Sequence, residues 1–132
     1  PTPTPTPTPI PSGYPAISSM SGVSALGNDG LQGVFSERIG TPTDLHKYQF
    51  YAYSGQTITI TMLSSDLDAK LDLLNADESL ITRNDDHSGG TNAYISRQLT
   101  SDGLYIILAQ SATAGSTDFG DYSVNFYLTP RN

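Results

Sequence analysis

Thr57-Ile58-Thr59-Ile60-Thr61-Met62 places three apolar side chains on one face and three threonines on the other. A period of two marks a half-buried β-strand, because successive side chains leave opposite faces of a sheet. The same alternation returns late in the chain, where Tyr122, Val124, Phe126 and Leu128 oppose Ser123, Asn125, Tyr127 and Thr129. The run Tyr48–Tyr53 precedes the first of these strands, and Ser54-Gly55 between them predicts a hairpin turn, with Gly55 supplying the positive φ.

Further strands are expected at Leu31–Ile39, at Leu71–Leu74, in a run ending in Asn84-Asp85-Asp86, and at Tyr94–Leu99. The turn Asn75-Ala76-Asp77-Glu78 separates two of them, and a long loop from His87 to Asn92 precedes another. Leu104-Tyr105-Ile106-Ile107-Leu108-Ala109 is apolar on both faces, which predicts a central strand. About eight short strands with regularly spaced turns, and no helical stretch, predict an all-β fold: an antiparallel β-sandwich or jelly roll.

The N-terminus is of another kind. Residues 1–15 open with four Pro-Thr pairs and contain Pro3, Pro5, Pro7 and Pro9. Proline fixes φ near −65° and drives its predecessor toward extended conformations, so the segment is expected to form a polyproline II rod. Eleven residues at ~3.1 Å each reach about 34 Å. Such a rod serves as an inter-domain linker or as a docking tail, and its threonines are candidate O-glycosylation sites. Residues 16–132 form one sandwich domain. Its first part, residues 16–30, is an extended arm whose spaced Ile17, Met20, Val23 and Leu26 lie on the domain.

Net charge decides several exclusions. At −7, with six Lys and Arg in all, the chain lacks the basic patch that phosphate backbones require, so nucleic acid is excluded. Acidity also disfavours anionic membrane surfaces, and no apolar run approaches the ~20 residues of a spanning helix. There is no cysteine and hence no disulfide. The start at Pro1 reads as a mature product or an excised fragment.

Six stretches together carry a family resemblance: Asp44-x-x-x-Tyr48-x-Phe50, Gly55-Gln56-Thr57-Ile58-Thr59-Ile60, Asp68-x-x-Leu71-x-Leu73, Asn84-Asp85-Asp86, Asp102-Gly103-Leu104-Tyr105-Ile106-Ile107 and Gly120-Asp121-Tyr122-Ser123-Val124. In this order, across residues 30 to 128, the chain resembles the bacterial pre-peptidase C-terminal domain, a β-sandwich appended to secreted peptidases and related to the collagen-binding domains of collagenases. One departure is that His46 and Lys47 stand where that family often has an acidic residue and an aromatic one. The resemblance implies a sandwich fold, an extracellular or cell-surface setting and no catalysis of its own. Some relatives bind calcium through acids of the arm, where this chain offers Asn28, Asp29 and Glu37.

The residues themselves also speak against an enzyme. His46 and His87 are the two histidines, and Asp85-Asp86-His87-Ser88, adjacent in one loop, cannot take the mutual geometry of a catalytic triad. No nucleophile elbow, HExxH or phosphate loop is present. Calcium is the one cofactor the composition favours, since 13 carboxylates outnumber the basic residues and hard cations take oxygen ligands. The expected metal ligands are Asp66, Asp68, Asp85 and Asp86, with Asn28-Asp29 and Asp118 with Asp121 as further clusters.

Tyrosine is the more informative residue type. If Tyr48, Phe50, Ile58, Ile60 and Met62 face inward, Tyr51 and Tyr53 face out, as do Tyr127 and Tyr94. These four are the expected binding residues, because an outward tyrosine stacks on proline rings or sugars. The expected partners are therefore a proline-rich protein, a glycan, or the chain's own N-terminal tail through Pro3, Pro5, Pro7 and Pro9. Two functions follow. One is a non-catalytic binding, adhesion or accessory domain of a secreted or cell-surface bacterial protein. The other is a structural subunit of an extracellular filament or surface layer assembled through the tail.

Overall fold

Each alternating run becomes a strand with its apolar face turned inward. The structure, a computed structural model, describes residues 14–41, 44–85, 92–112 and 120–131. Nine strands appear: β1 (Val23–Gly27), β2 (Gly30–Ile39), β3 (His46–Ala52), β4 (Thr57–Leu63), β5 (Ala69–Asn75), β6 (Leu80–Asn84), β7 (Ala93–Gln98), β8 (Gly103–Ser111) and β9 (Gly120–Leu128). They form a five-stranded sheet in the order β1-β2-β9-β4-β7 and a four-stranded sheet in the order β3-β8-β5-β6. All strand pairs are antiparallel and the sheets do not close into a barrel. The β-sandwich is as expected, with one strand more than the eight counted from sequence.

The core fills the space between the sheets. Ile58, Ile60 and Met62 of β4 and Tyr122, Val124, Phe126 and Leu128 of β9 face Tyr48 and Phe50 of β3 and Ile107 of β8. Phe50 lies between Tyr105 and Phe126, with ring centroids 5.6 and 5.2 Å away. Burial of each such side chain stabilises the fold by about 1.5–3 kcal/mol. β8 is central, as its composition predicts. Its Ile106 and Leu108 are buried on the sheet's outer face, where Leu74 and Tyr14 pack against them.

The Ser54-Gly55 turn is not a hairpin. β3 belongs to the four-stranded sheet and β4 to the five-stranded one, so the chain crosses between layers there. The physical cause is Gln56, buried at the corner. Its Oε1 accepts from Tyr53 N–H at 2.7 Å, while Nε2 donates to Thr129 O at 2.7 Å and Asp29 O at 3.0 Å. These bonds tie the start of β4 to the end of β9 and to the β1–β2 turn as the chain leaves β3. Gly55 does take the positive φ expected of it, at 96°.

Part of the expected arm is a strand. Residues 16–30 begin with a single 3-10 turn, Ile17–Ser19, whose Ile17 is fully buried, and then run as β1 against β2. Before the turn, the chain passes parallel to β3 at Ala16 and Gln49, with Gln49 N–H donating to Pro15 O at 2.9 Å.

Candidate functional site

The outward aromatics of β3 stand beside an open groove. Tyr48 and Phe50 point inward, which forces Tyr51 outward, and Tyr53 follows it at the corner. The two rings sit edge to face, 5.0 Å apart. Tyr51 is 38% exposed. Arg131 covers one face of Tyr53, its guanidinium carbon 4.0 Å from the ring centroid, and pairs with Asp29 at 3.1 Å. The groove, about 720 Å³, runs between β3 and the β1–β2 hairpin, with Ala25, Leu31, Phe50, Leu104 and the two tyrosines as its apolar lining. Its second acid, Asp102, accepts from Ser54 N–H at 2.7 Å. Asp29 is thus balanced by Arg131, while Asp102 keeps its charge in an otherwise apolar, aromatic-walled groove.

The other predicted tyrosines stand apart from this pair. Tyr127 of β9, 42% exposed, and half-buried Tyr94 of β7 belong to the other sheet. Tyr127 lines a shallow trough with Val34, Thr59, Thr61 and Asn125. Pro3, Pro5, Pro7 and Pro9 lie outside the described residues, as do Asp86, His87 and Asp118.

Of the predicted metal ligands, Asp66, Asp68 and Asp85 lie among the described residues. Asp66 accepts from Asp121 N–H at 2.9 Å and packs against Gly120 so tightly that a Cβ there would come within 2.3 Å of its own Cβ. Asp121 pairs with Arg38 at 3.0 Å. Asp68 is half-buried just before β5, and Asp85 is exposed just after β6. Among the described residues no three His, Asp or Glu side chains converge as a cation site.

His46 joins a chain of hydrogen bonds that crosses the core. Its Nδ1 lies 2.6 Å from the Tyr122 hydroxyl, which lies 2.5 Å from that of Tyr48. Burial pushes the Tyr48 phenol up to about 12 and moves Tyr122 in the same direction. Both phenols therefore stay protonated at neutral pH and act as structural hydrogen-bond partners. Lys47, beside His46, bonds to Glu78 at 2.5 Å and to the Tyr14 hydroxyl at 3.1 Å, pinning the arm to the β5–β6 turn. The Glu78 contact, and then Tyr14, raise the Lys47 pKa, and Lys47 lowers that of Glu78. Sequence reasoning found neither Tyr14 nor Gln56, since each acts through residues distant in the chain.

The fold and these sites define a class: a β-sandwich module whose polar residues staple turns and whose aromatics gather beside one sheet edge. Residues 44–111, a little over half of the chain, match the family described as the bacterial pre-peptidase C-terminal domain, and the chain belongs to that family. It is a family of non-catalytic accessory domains. Among solved structures, the chain is similar to the pre-peptidase C-terminal domain of a Bacillus anthracis collagenase. Their TM-score is 0.58 and identity 13%, over 72% of this chain and 88% of that one. It is also similar to the Aeromonas hydrophila periplasmic inhibitor of g-type lysozyme, with TM-score 0.63 and 18% identity, over 88% of this chain and 96% of that one. The Escherichia coli inhibitor, crystallised as a mutant, matches with TM-score 0.55 and 18% identity, over 79% and 91%. No curated protein matches the sequence. At these identities the likeness concerns the fold.

Proposed function

We propose that this domain is a non-catalytic protein-binding module of a secreted or cell-surface bacterial protein, and that it docks an extended segment of its partner in the Tyr51–Tyr53 groove. The observation that carries the reading is the aromatic pair itself, half-exposed on the wall of an apolar-lined groove at the Tyr51 end of β3. Extended segments suit such a surface because rings and backbone face it together along the strand direction. The relatives support the setting, one belonging to a collagenase and another being a periplasmic inhibitor of a lysozyme.

The test is titration of the full chain with a panel of proline-rich and threonine-rich extended peptides, read by amide chemical shifts. Shifts should concentrate at Tyr51, Tyr53, Leu104 and Asp102. Tyr51→Ser with Tyr53→Ser should weaken the best peptide by about tenfold or more, the loss expected of an aromatic anchor. Shifts confined to the β9 face around Tyr127, or none with any peptide, would remove the proposal.

A further inference from the structure

We infer that the occupant of the Tyr51–Tyr53 groove is the Pro-Thr segment of a second copy of this chain, so that copies associate head to tail. The inference rests on the reading of the groove given above and adds the identity of the segment. Its first support is where the described chain leads. Tyr14 lies against Lys47 and Glu78, and Pro15-Ala16 run parallel to β3. Followed toward the N-terminus, the chain therefore heads for the His46 end of β3, whereas the groove lies at the other end, by Tyr51. To reach its own groove the segment would have to turn back past the arm that flanks β3. A groove on another copy requires no reversal.

Charge supports the same occupant. Residues 1–11 carry no ionisable side chain, and both acids of the groove already have partners. A segment without charge avoids the cost of desolvating an ion against the apolar wall.

Periodicity supports it too. In the polyproline II rod expected of this segment, with three residues per turn, proline at every second position puts rings on every side of the rod. Whichever side meets the groove therefore offers rings to its apolar lining. Threonine before proline is already biased to the extended region, so little conformational entropy is lost on docking. Each copy carries one segment and one groove. The contact is heterologous, and such contacts propagate into open chains unless a rotation closes them into a ring.

The experiment is sedimentation velocity on the full chain over about a hundredfold range of concentration. It is repeated for the full chain carrying Tyr51→Ser and Tyr53→Ser, and for the full chain carrying Pro3, Pro5, Pro7 and Pro9→Ser. A synthetic PTPTPTPTPIP peptide serves as competitor. The expected result is association that grows with concentration, is weakened about tenfold or more in both variants, and is reversed by the peptide. Cooperative melting of both variants shows that the fold survives. A monomer at every concentration overturns the inference. If other extended peptides still shift the groove's amides, the protein-binding reading stands without it. Association that persists in the tyrosine variant overturns it as well, and so does peptide binding in a chain that never associates.

Discussion

At the scale of single residues, the conspicuous motif residues are staples. Asp44 accepts from the backbone of Gly40 and Thr41 and from the Thr41 hydroxyl, and those bonds, the hydroxyl's first, hold its carboxyl below the usual range. Asn84 accepts from Tyr94 N–H, and Asp102 from Ser54 N–H. Short polar side chains commonly serve the backbone near turns in this way. Gln56 is the extreme case, its amide wholly inside the sandwich and its three bonds all to main chain. Gln56→Leu keeps the volume but takes the partner from three part-buried groups, the Tyr53 N–H and the Thr129 and Asp29 carbonyls, where a fully buried group would cost roughly 1–3 kcal/mol. We expect a loss of about 2 kcal/mol in urea unfolding. A loss below about 1 kcal/mol would show that water replaces the amide.

Elements were legible where both of a strand's faces are written in its own residues. β9, with Tyr122 to Leu128 alternating, and β8, apolar from Leu104 to Ala109, needed no tertiary information. β3 and β4 were legible as strands but not as neighbours. Ser54-Gly55 satisfies the local grammar of a hairpin, and only the distant Thr129 and Asp29 carbonyls decide otherwise. β1 was read as plain arm because Val23–Gly27 lies at a sheet edge with four of its five residues exposed, which leaves almost no period to detect. The same edge logic hides the arm's anchor. Glu78 holds φ at 68°, a conformation that costs a non-glycine residue of order 1 kcal/mol, and its side chain reaches Lys47 and Tyr14. Glu78→Gly removes the strain and the anchor together. Global stability should therefore change little, while hydrogen exchange at Gln49, whose amide is bonded to Pro15, should speed up several-fold. Unaltered exchange there would mean that Ile17 alone holds the arm.

The whole molecule should be stable over a broad plateau of pH bounded by two sets of groups. Glu78, Asp77 and Asp44 have folded pKa values below their ordinary 4.5, 3.8 and 3.8. Their contribution is complete above those ordinary values and is lost as pH falls through the lower folded ones. Tyr48, Tyr122 and Lys47 are shifted the other way, so theirs is complete below about pH 10 and is lost as pH rises. Urea midpoints should fall below about pH 4.5 and again above about pH 10, the second drop accompanied by tyrosinate absorbance as the core phenols ionise. A midpoint that stays level up to about pH 11 would contradict the burial of the Tyr48–Tyr122 pair. β9 has a consequence of another sort, in time rather than in energy. It lies between β2 and β4, so before Gly120–Leu128 exists neither of those strands has its inner neighbour. At roughly 5–20 residues per second a ribosome would hold a five-stranded sheet with its middle missing for on the order of ten seconds. Pairings between such distant segments also form slowly. The four-stranded sheet can thus be complete in a growing chain whose five-stranded sheet still waits for β9.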